Sequence, residues 1–182
     1  MRGCVVPEFD VRPARREDAL EMAELLAAVA EEREGIATEP PVDLDAFAQQ
    51  FATSIDGSVV AVAGGAIIGM IHVGQSRFAV GELAMLVERE WRGRGVGSTL
   101  VAVAIERART AGLHKLSLDV FPHNAAAIAV YRKFGFVEEG RRIAHYRRAN
   151  GELWDAIVMG LLLGLHPREG NGRRCSGSAH CP

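Results

Sequence analysis

Arg92-Gly93-Arg94-Gly95-Val96-Gly97 stands between a run with strand character, residues 82–88, and a run with helix character, residues 98–111. This junction decides the fold, because it makes a strand turn through glycines straight into a helix. Glycines let the backbone bend tightly and approach a ligand closely. The first amides of a helix have no partner within the helix and point outward, and the positive end of the helix dipole attracts anions. Arg92 and Arg94 add charge and bidentate donors. A nucleotide-binding loop that closes on Gly-Lys-Ser/Thr is excluded, since Val96-Gly97-Ser98 holds no lysine. A dinucleotide fingerprint needs a third glycine where Ser98 stands, and it opens directly from its strand, whereas Glu88-Arg89-Glu90 intervene here. On the glycines alone, the choice lies between an anion site and a tight turn without a ligand.

Working outward, Val11-Arg12-Pro13-Ala14 reads as a short strand kept at a sheet edge by Pro13. Asp18 is the expected cap of a helix running to about residue 32, with Ala19, Met22, Ala23, Leu26, Val29 and Ala30 at helical spacing. Pro40-Pro41 breaks the chain, and Asp43 starts a second helix carrying Leu44, Phe47, Ala48 and Phe51. Residues 58–63 and 66–73 read as strands joined at Gly64-Gly65. Downstream, Gly112 stops the helix of residues 98–111, residues 115–120 form a strand, and Asn124 caps a helix that ends near Phe134 with Gly135 in the left-handed position. Residues 136–148 and 152–162 form a long hairpin around Asn150-Gly151. The order strand, two helices, three strands, helix, strand, helix, two strands predicts an α/β domain with a mixed central sheet, not a regular doubly wound one. The domain is expected over residues 9–165, and the Gly-, Ser- and Arg-rich residues 166–182 are expected to be a disordered tail.

The 182 residues are 48% hydrophobic and 24% charged, enough for a single domain with a true core. A net charge of −2 gives no overall pull toward nucleic acid or an anionic membrane. Cys4, Cys175 and Cys181 match neither a zinc spacing nor a disulfide framework, so the expected setting is a reducing cytoplasm, without a metal. Residues 1–13 lack a signal-peptide apolar run, and the longest aliphatic stretch, around residues 157–165, is too short to span a bilayer. Arg141, Arg142, Arg147 and Arg148 form a basic cluster that no known RNA-binding module accompanies, and the expectation is a solvated hairpin with no nucleic-acid partner.

Taken together, Val87, the run Arg92–Gly97, Leu118-Asp119-Val120, Asn124, Tyr131 and Phe134-Gly135-Phe136 resemble the GNAT superfamily of N-acetyltransferases. The resemblance extends from Val11-Arg12-Pro13 to the final hairpin. The ending Asn150-Gly151-Glu152-Leu153-Trp154-Asp155 is similar to that of members acetylating amino acids or other small amines. The resemblance implies a GNAT fold whose strands splay around an acetyl-CoA site, with acetyl-CoA as acyl-donor cosubstrate. By position, it implies that the amides of Gly93, Arg94, Gly95, Val96, Gly97 and Ser98, beside Arg92, hold the pyrophosphate. Leu86 and Val87 would offer backbone to the pantetheine arm. The Val87 amide would meet the developing oxyanion. Asn124 would contact the pantetheine region, and Tyr131 would sit near the thioester sulfur.

Helical spacing independently sets Asn124, Ala127, Ile128 and Tyr131 on one face. A thiol titrates near pH ~8.5 and tyrosine near ~10, so Tyr131 stays protonated at neutral pH and can donate a proton to a departing thiolate. Glu82 is the candidate base for the attacking amine, although a one-residue slip in strand register would turn it to the other face. Packing or surface roles are expected for His72 and His123, while His145, Tyr146, Trp154 and Asp155 are candidate walls of the acceptor site. The implied acceptor is a primary amine of a small molecule or amino acid. Rival readings are a protein N-terminal or lysine acetyltransferase and a non-catalytic acyl-CoA-binding sensor. No motif cysteine supports an acetyl-enzyme. A homodimer is compatible with the sequence.

Overall fold

In the computed structural model of the chain, residues 8–75 and 78–164 are described. The tail of residues 166–182, the domain limit at residue 165 and all three cysteines lie outside them. The elements are β1 (Asp10–Pro13), α1 (Ala19–Glu31), α2 (Leu44–Thr53), β2 (Ser58–Ala63), β3 (Ala66–Gln75), β4 (Val80–Val87), α3 (Val96–Thr110), β5 (Lys115–Val120), α4 (Ala125–Lys133), β6 (Val137–Arg147) and β7 (Leu153–Leu162). The order matches the sequence reading, and most boundaries fall within two residues of it. The sheet runs β1-β2-β3-β4-β5-β7-β6. All neighbours are antiparallel except β4 and β5. β1, with Pro13, occupies an edge as expected.

The sheet separates two apolar layers. On one face, Val59, Ile71, Leu83, Leu116, Leu118 and Val120 pack with α3 and α4. On the other, Val60, Ile67, Met70 and Leu86 pack with Met22, Leu25, Leu26 and Val29 of α1 and with Phe47 and Phe51 of α2. Alternation along each strand supplies both layers. Val59 and Val60 of β2, adjacent in sequence, serve opposite faces.

Two local expectations need correction. Asp18 does not cap α1 through its side chain. Its carboxylate instead accepts from the Arg15 backbone N–H at 2.6 Å and from both Arg12 guanidinium nitrogens at 2.6 and 2.8 Å. A short 3₁₀ turn, Arg16–Asp18, precedes the helix and uses the residue first. The glycine-loop helix begins at Val96, not Ser98. Val96 is fully buried, so core packing fixes the helix start two residues before the point that polarity suggests. Among the described residues, no helix is long and apolar enough to cross a membrane.

Candidate functional site

β4 leaves the sheet through a 3₁₀ turn, Arg89–Trp91, and reaches α3 by way of Gly93 and Gly95, at φ 76° and 90°. Gly95 is the residue before α3 and holds a left-handed backbone, which costs an ordinary L-residue roughly 1–2 kcal/mol. Its carbonyl accepts the first helical bond, from Thr99 N–H at 3.0 Å. The amides of Val96, Gly97 and Ser98 are therefore first-turn donors without helical acceptors. Open space lies over the loop at two of its glycines: a Cβ added at Gly93 or Gly95 would meet nothing within 4 Å, whereas one at Gly97 would meet the Met85 and Val87 side chains, from 3.4 Å. A phosphate-bearing group thus fits against these amides.

The two arginines of the loop differ. Arg92 donates through Nε to the Val87 carbonyl at 3.0 Å, and its Nη atoms fork onto the Glu32 carboxylate at 2.6 and 2.8 Å. Its bidentate contact, expected on a ligand, is made to the end of α1. Arg94 lies 5.1 Å over the Trp91 ring and 3.4 Å from Glu8, with half its side chain exposed. It is the cation that faces outward.

β4 and β5 pair only over Val80–Lys115, Gly81–Leu116 and Glu82–Ser117, and then diverge. Glu88 N–H bonds to Ile68 of β3, and Leu86 is aligned with Met70 of β3. Strand alternation then turns the Leu86 backbone toward β3 and the Val87 backbone toward the β5 side. Of the two residues expected to offer backbone to a ligand, Val87 faces the gap. Leu86 belongs to the β3 ladder, and its side chain is buried with α1.

Glu82 stands at the apex of the gap, exposed, opposite Gly74 of β3 and Ser117 of β5. Its neighbour Leu83 fills the α3 layer, so Glu82 projects to the α1 and α2 face. Asn124 accepts from Ala127 N–H at 3.1 Å and so caps α4 as expected. That engages its oxygen and leaves its amide N–H groups as the donors available to a ligand. Tyr131, two turns on, is 6% exposed and packs 5.6 Å from the Phe136 ring. Burial pushes its hydroxyl well above the ordinary tyrosine range. No hydrogen-bond partner engages that hydroxyl among the described residues.

Sequence reasoning missed three arrangements. Arg148, expected to be solvated, is buried and reaches across to the loop between α1 and α2. Asp119 of β5 pairs with Arg142 at 3.1 Å and accepts from the Tyr146 hydroxyl at 3.4 Å, so part of the basic cluster is neutralised along the same sheet face as Glu82. His72 Nδ1 and the buried Ser58 Oγ share a hydrogen bond of 2.9 Å. Burial lowers the His72 pKa. The signal for Arg148 was its place beside the hairpin turn, but its acceptors lie 111–115 residues away in sequence. Among the described residues, no cluster of three or more His, Cys, Asp or Glu side chains could hold a metal ion.

Comparison with known proteins converges on one family. The model of the Acetyltransferase (GNAT) family matches residues 21–136. An L-amino acid N-acetyltransferase of Escherichia coli K12 is 35% identical over 61% of this chain and 66% of its own length. The ribosomal protein bS18-alanine N-acetyltransferase of Salmonella typhimurium is 38% identical over 43% of this chain and 53% of its own. The matched stretches thus span about half to two thirds of these relatives. Among solved structures, a phosphinothricin acetyltransferase of Sinorhizobium meliloti, in complex with acetyl-CoA, aligns with a TM-score of 0.77 at 23% identity over 86% of this chain and 89% of that one, a likeness of fold.

Proposed function

This chain belongs to the acetyltransferase (GNAT) family, and from that premise we propose that it transfers the acetyl group of acetyl-CoA to a primary amine of a small molecule or amino acid, by direct attack in a ternary complex. The observation that carries the reading is the set of first-turn amides at Val96, Gly97 and Ser98 without helical acceptors, next to the open space at Gly93 and Gly95 and beside the gap between β4 and β5.

Acetyl-CoA supplies an activated thioester; the chain's own groups do the rest. The loop amides and Arg94 hold the pyrophosphate, while Arg92 fixes the loop to Glu32 and Val87. The Val87 amide, turned into the gap, stabilises negative charge on the acetyl oxygen as the amine nitrogen bonds to the carbonyl carbon. Asn124 donates to the pantetheine arm. Glu82 receives a proton from the amine, directly or through water. As the carbon–sulfur bond breaks, Tyr131 gives its proton to the departing sulfur, a task suited to a hydroxyl that burial keeps neutral.

The relatives named above act on amino acids and on a ribosomal protein alanine. Both descriptions fit an α-amine, which titrates near ~8 and needs less help from a base than a lysine near ~10.4. A protein α-amine is therefore the second reading. The reaction takes place in the cytoplasm, and a homodimer is compatible with it.

The test is release of free CoA thiol over a panel of amino acids, polyamines, aminoglycosides and peptides. We expect turnover with at least one α-amine. Tyr131→Phe should slow it about a hundredfold or more while acetyl-CoA affinity stays within about twofold, since the lost proton acts in the reaction and not in binding. Binding without turnover across the panel would favour a sensor instead.

A further inference from the structure

Arg148 follows β6 directly, yet it is only 4% exposed. Its Nη1 donates to the carbonyls of Ile36 and Ala37, each at 3.1 Å, and its Nη2 donates to the Arg33 carbonyl at 3.2 Å. Glu39 lies 3.4 Å from Nη2 and also accepts from the Ala149 backbone N–H at 2.7 Å. The guanidinium plane sits 4.3 Å from the Trp154 ring and 5.7 Å from that of Phe121. One side chain therefore joins the loop between α1 and α2, the end of β5 and the β6–β7 hairpin. A planar fork with five donors can serve three carbonyls and a carboxylate together, whereas an ammonium cannot present that geometry.

Ile36 and Val42 of this loop pack against the α1 layer, but few other hydrogen bonds hold its backbone. Residues 34–42 make no backbone–backbone hydrogen bond among the described residues. His123 Nε2 adds one bond, to the Glu34 carbonyl at 2.8 Å. The His123 ring stacks on Phe121 and meets Trp154 edge-on. Gly35 lies beside the Asn124 amide, with 4.0 Å between that nitrogen and a Cβ added at Gly35. The hairpin also reaches Asp119, on the sheet face that carries Glu82, through Arg142 and Tyr146.

We propose that Arg148 is a positioning residue for the acceptor amine: it fixes residues 33–39 against the Phe121–Trp154 wall, so that the acceptor enters a preformed site beside the gap. The inference rests on the acetyltransfer reading. Arg148 makes no hydrogen bond to the glycine loop, and it meets the donor half only through Gly35 beside Asn124, so its effect falls chiefly on the acceptor half of the reaction.

The test compares the full-length protein with Arg148→Lys, and with Glu39→Gln as a second variant that leaves the arginine buried. Arg148→Lys should raise the acceptor KM about tenfold to a hundredfold, with the acetyl-CoA KM and kcat at saturating acceptor within about threefold. Tryptic cleavage after Arg33 should quicken while cleavage after Arg107 and Arg109 of α3 does not change. Glu39→Gln should show the same pattern more weakly. Equal changes in both KM values, or unchanged cleavage after Arg33, would overturn the proposal. Absence of any turnover in the unsubstituted protein would refute the acetyltransfer reading instead, and the cleavage comparison would still decide whether Arg148 holds the loop.

Discussion

Two carboxylates show how strand and turn context sets what an acid does. Glu82 is exposed at the apex of the β4–β5 gap, where an ammonium can approach it. Glu82→Gln should lower kcat about a hundredfold or more if it takes the amine proton, with a larger deficit for lysine-type amines than for α-amines. A kcat equal to that of the unsubstituted protein on both amine types would remove Glu82 from the reaction. Asp18 is nearly buried and is held by Arg12 and the Arg15 amide. The hydrogen bond from Arg12 is the chief reason its folded-state pKa is lowered. A depressed carboxyl contributes stability above its unfolded value and loses it as pH falls through the folded one. Asp18→Asn should therefore cost about 1–3 kcal/mol at neutral pH, and its thermal midpoint should fall less steeply than that of the unsubstituted protein below about pH 4. Parallel acid limbs in a melting series would contradict this.

The parallel contact of β4 with β5 is short, and Gly81 makes it close. A Cβ there would lie 2.7 Å from both Leu116 Cδ2 and Val73 Cγ1, and 2.9 Å from Leu113 Cδ1. Gly81→Ala should destabilise the protein by about 1–3 kcal/mol, measured by denaturant titration; an unchanged midpoint would show that the junction has slack. This contact was only partly legible in the sequence. The strands, the helices and the glycine turns could be read because periodicity, Asn124 and Asp43 as caps, and Gly112 and Gly135 as stops act locally. The pairing of β4 with β5 and the divergence after Glu82 depend on partners some 35 residues apart, which no local pattern encodes. Asp18 was misread for a related reason. An aspartate before a helix can cap it or the turn before it, and Arg12 across the turn decides.

The proposed donor side draws mainly on one contiguous stretch, Val80 to Thr110, which is readable as a unit, and adds Asn124 and Tyr131 from α4. The proposed acceptor side is assembled from three distant segments, residues 33–39, Phe121–His123 and the β6–β7 hairpin, drawn together through Arg148, His123 and Trp154. Trp154 reads from the sequence as a wall of this site, whereas Arg148 reads as a solvated hairpin residue, and only the folded chain gives Arg148 its carbonyls. What unites the two sides is the claim that the glycine loop holds the pyrophosphate of acetyl-CoA. Calorimetric titration of the full-length protein with acetyl-CoA and, in parallel, with acetyl-pantetheine, which lacks the pyrophosphate, tests it. Acetyl-CoA should saturate one site per chain with a Kd between about 1 μM and 1 mM, and acetyl-pantetheine should bind at least about tenfold more weakly, the loss of one or two charge-assisted contacts. Equal affinity for the two ligands, or no saturable binding of acetyl-CoA, would contradict the assignment.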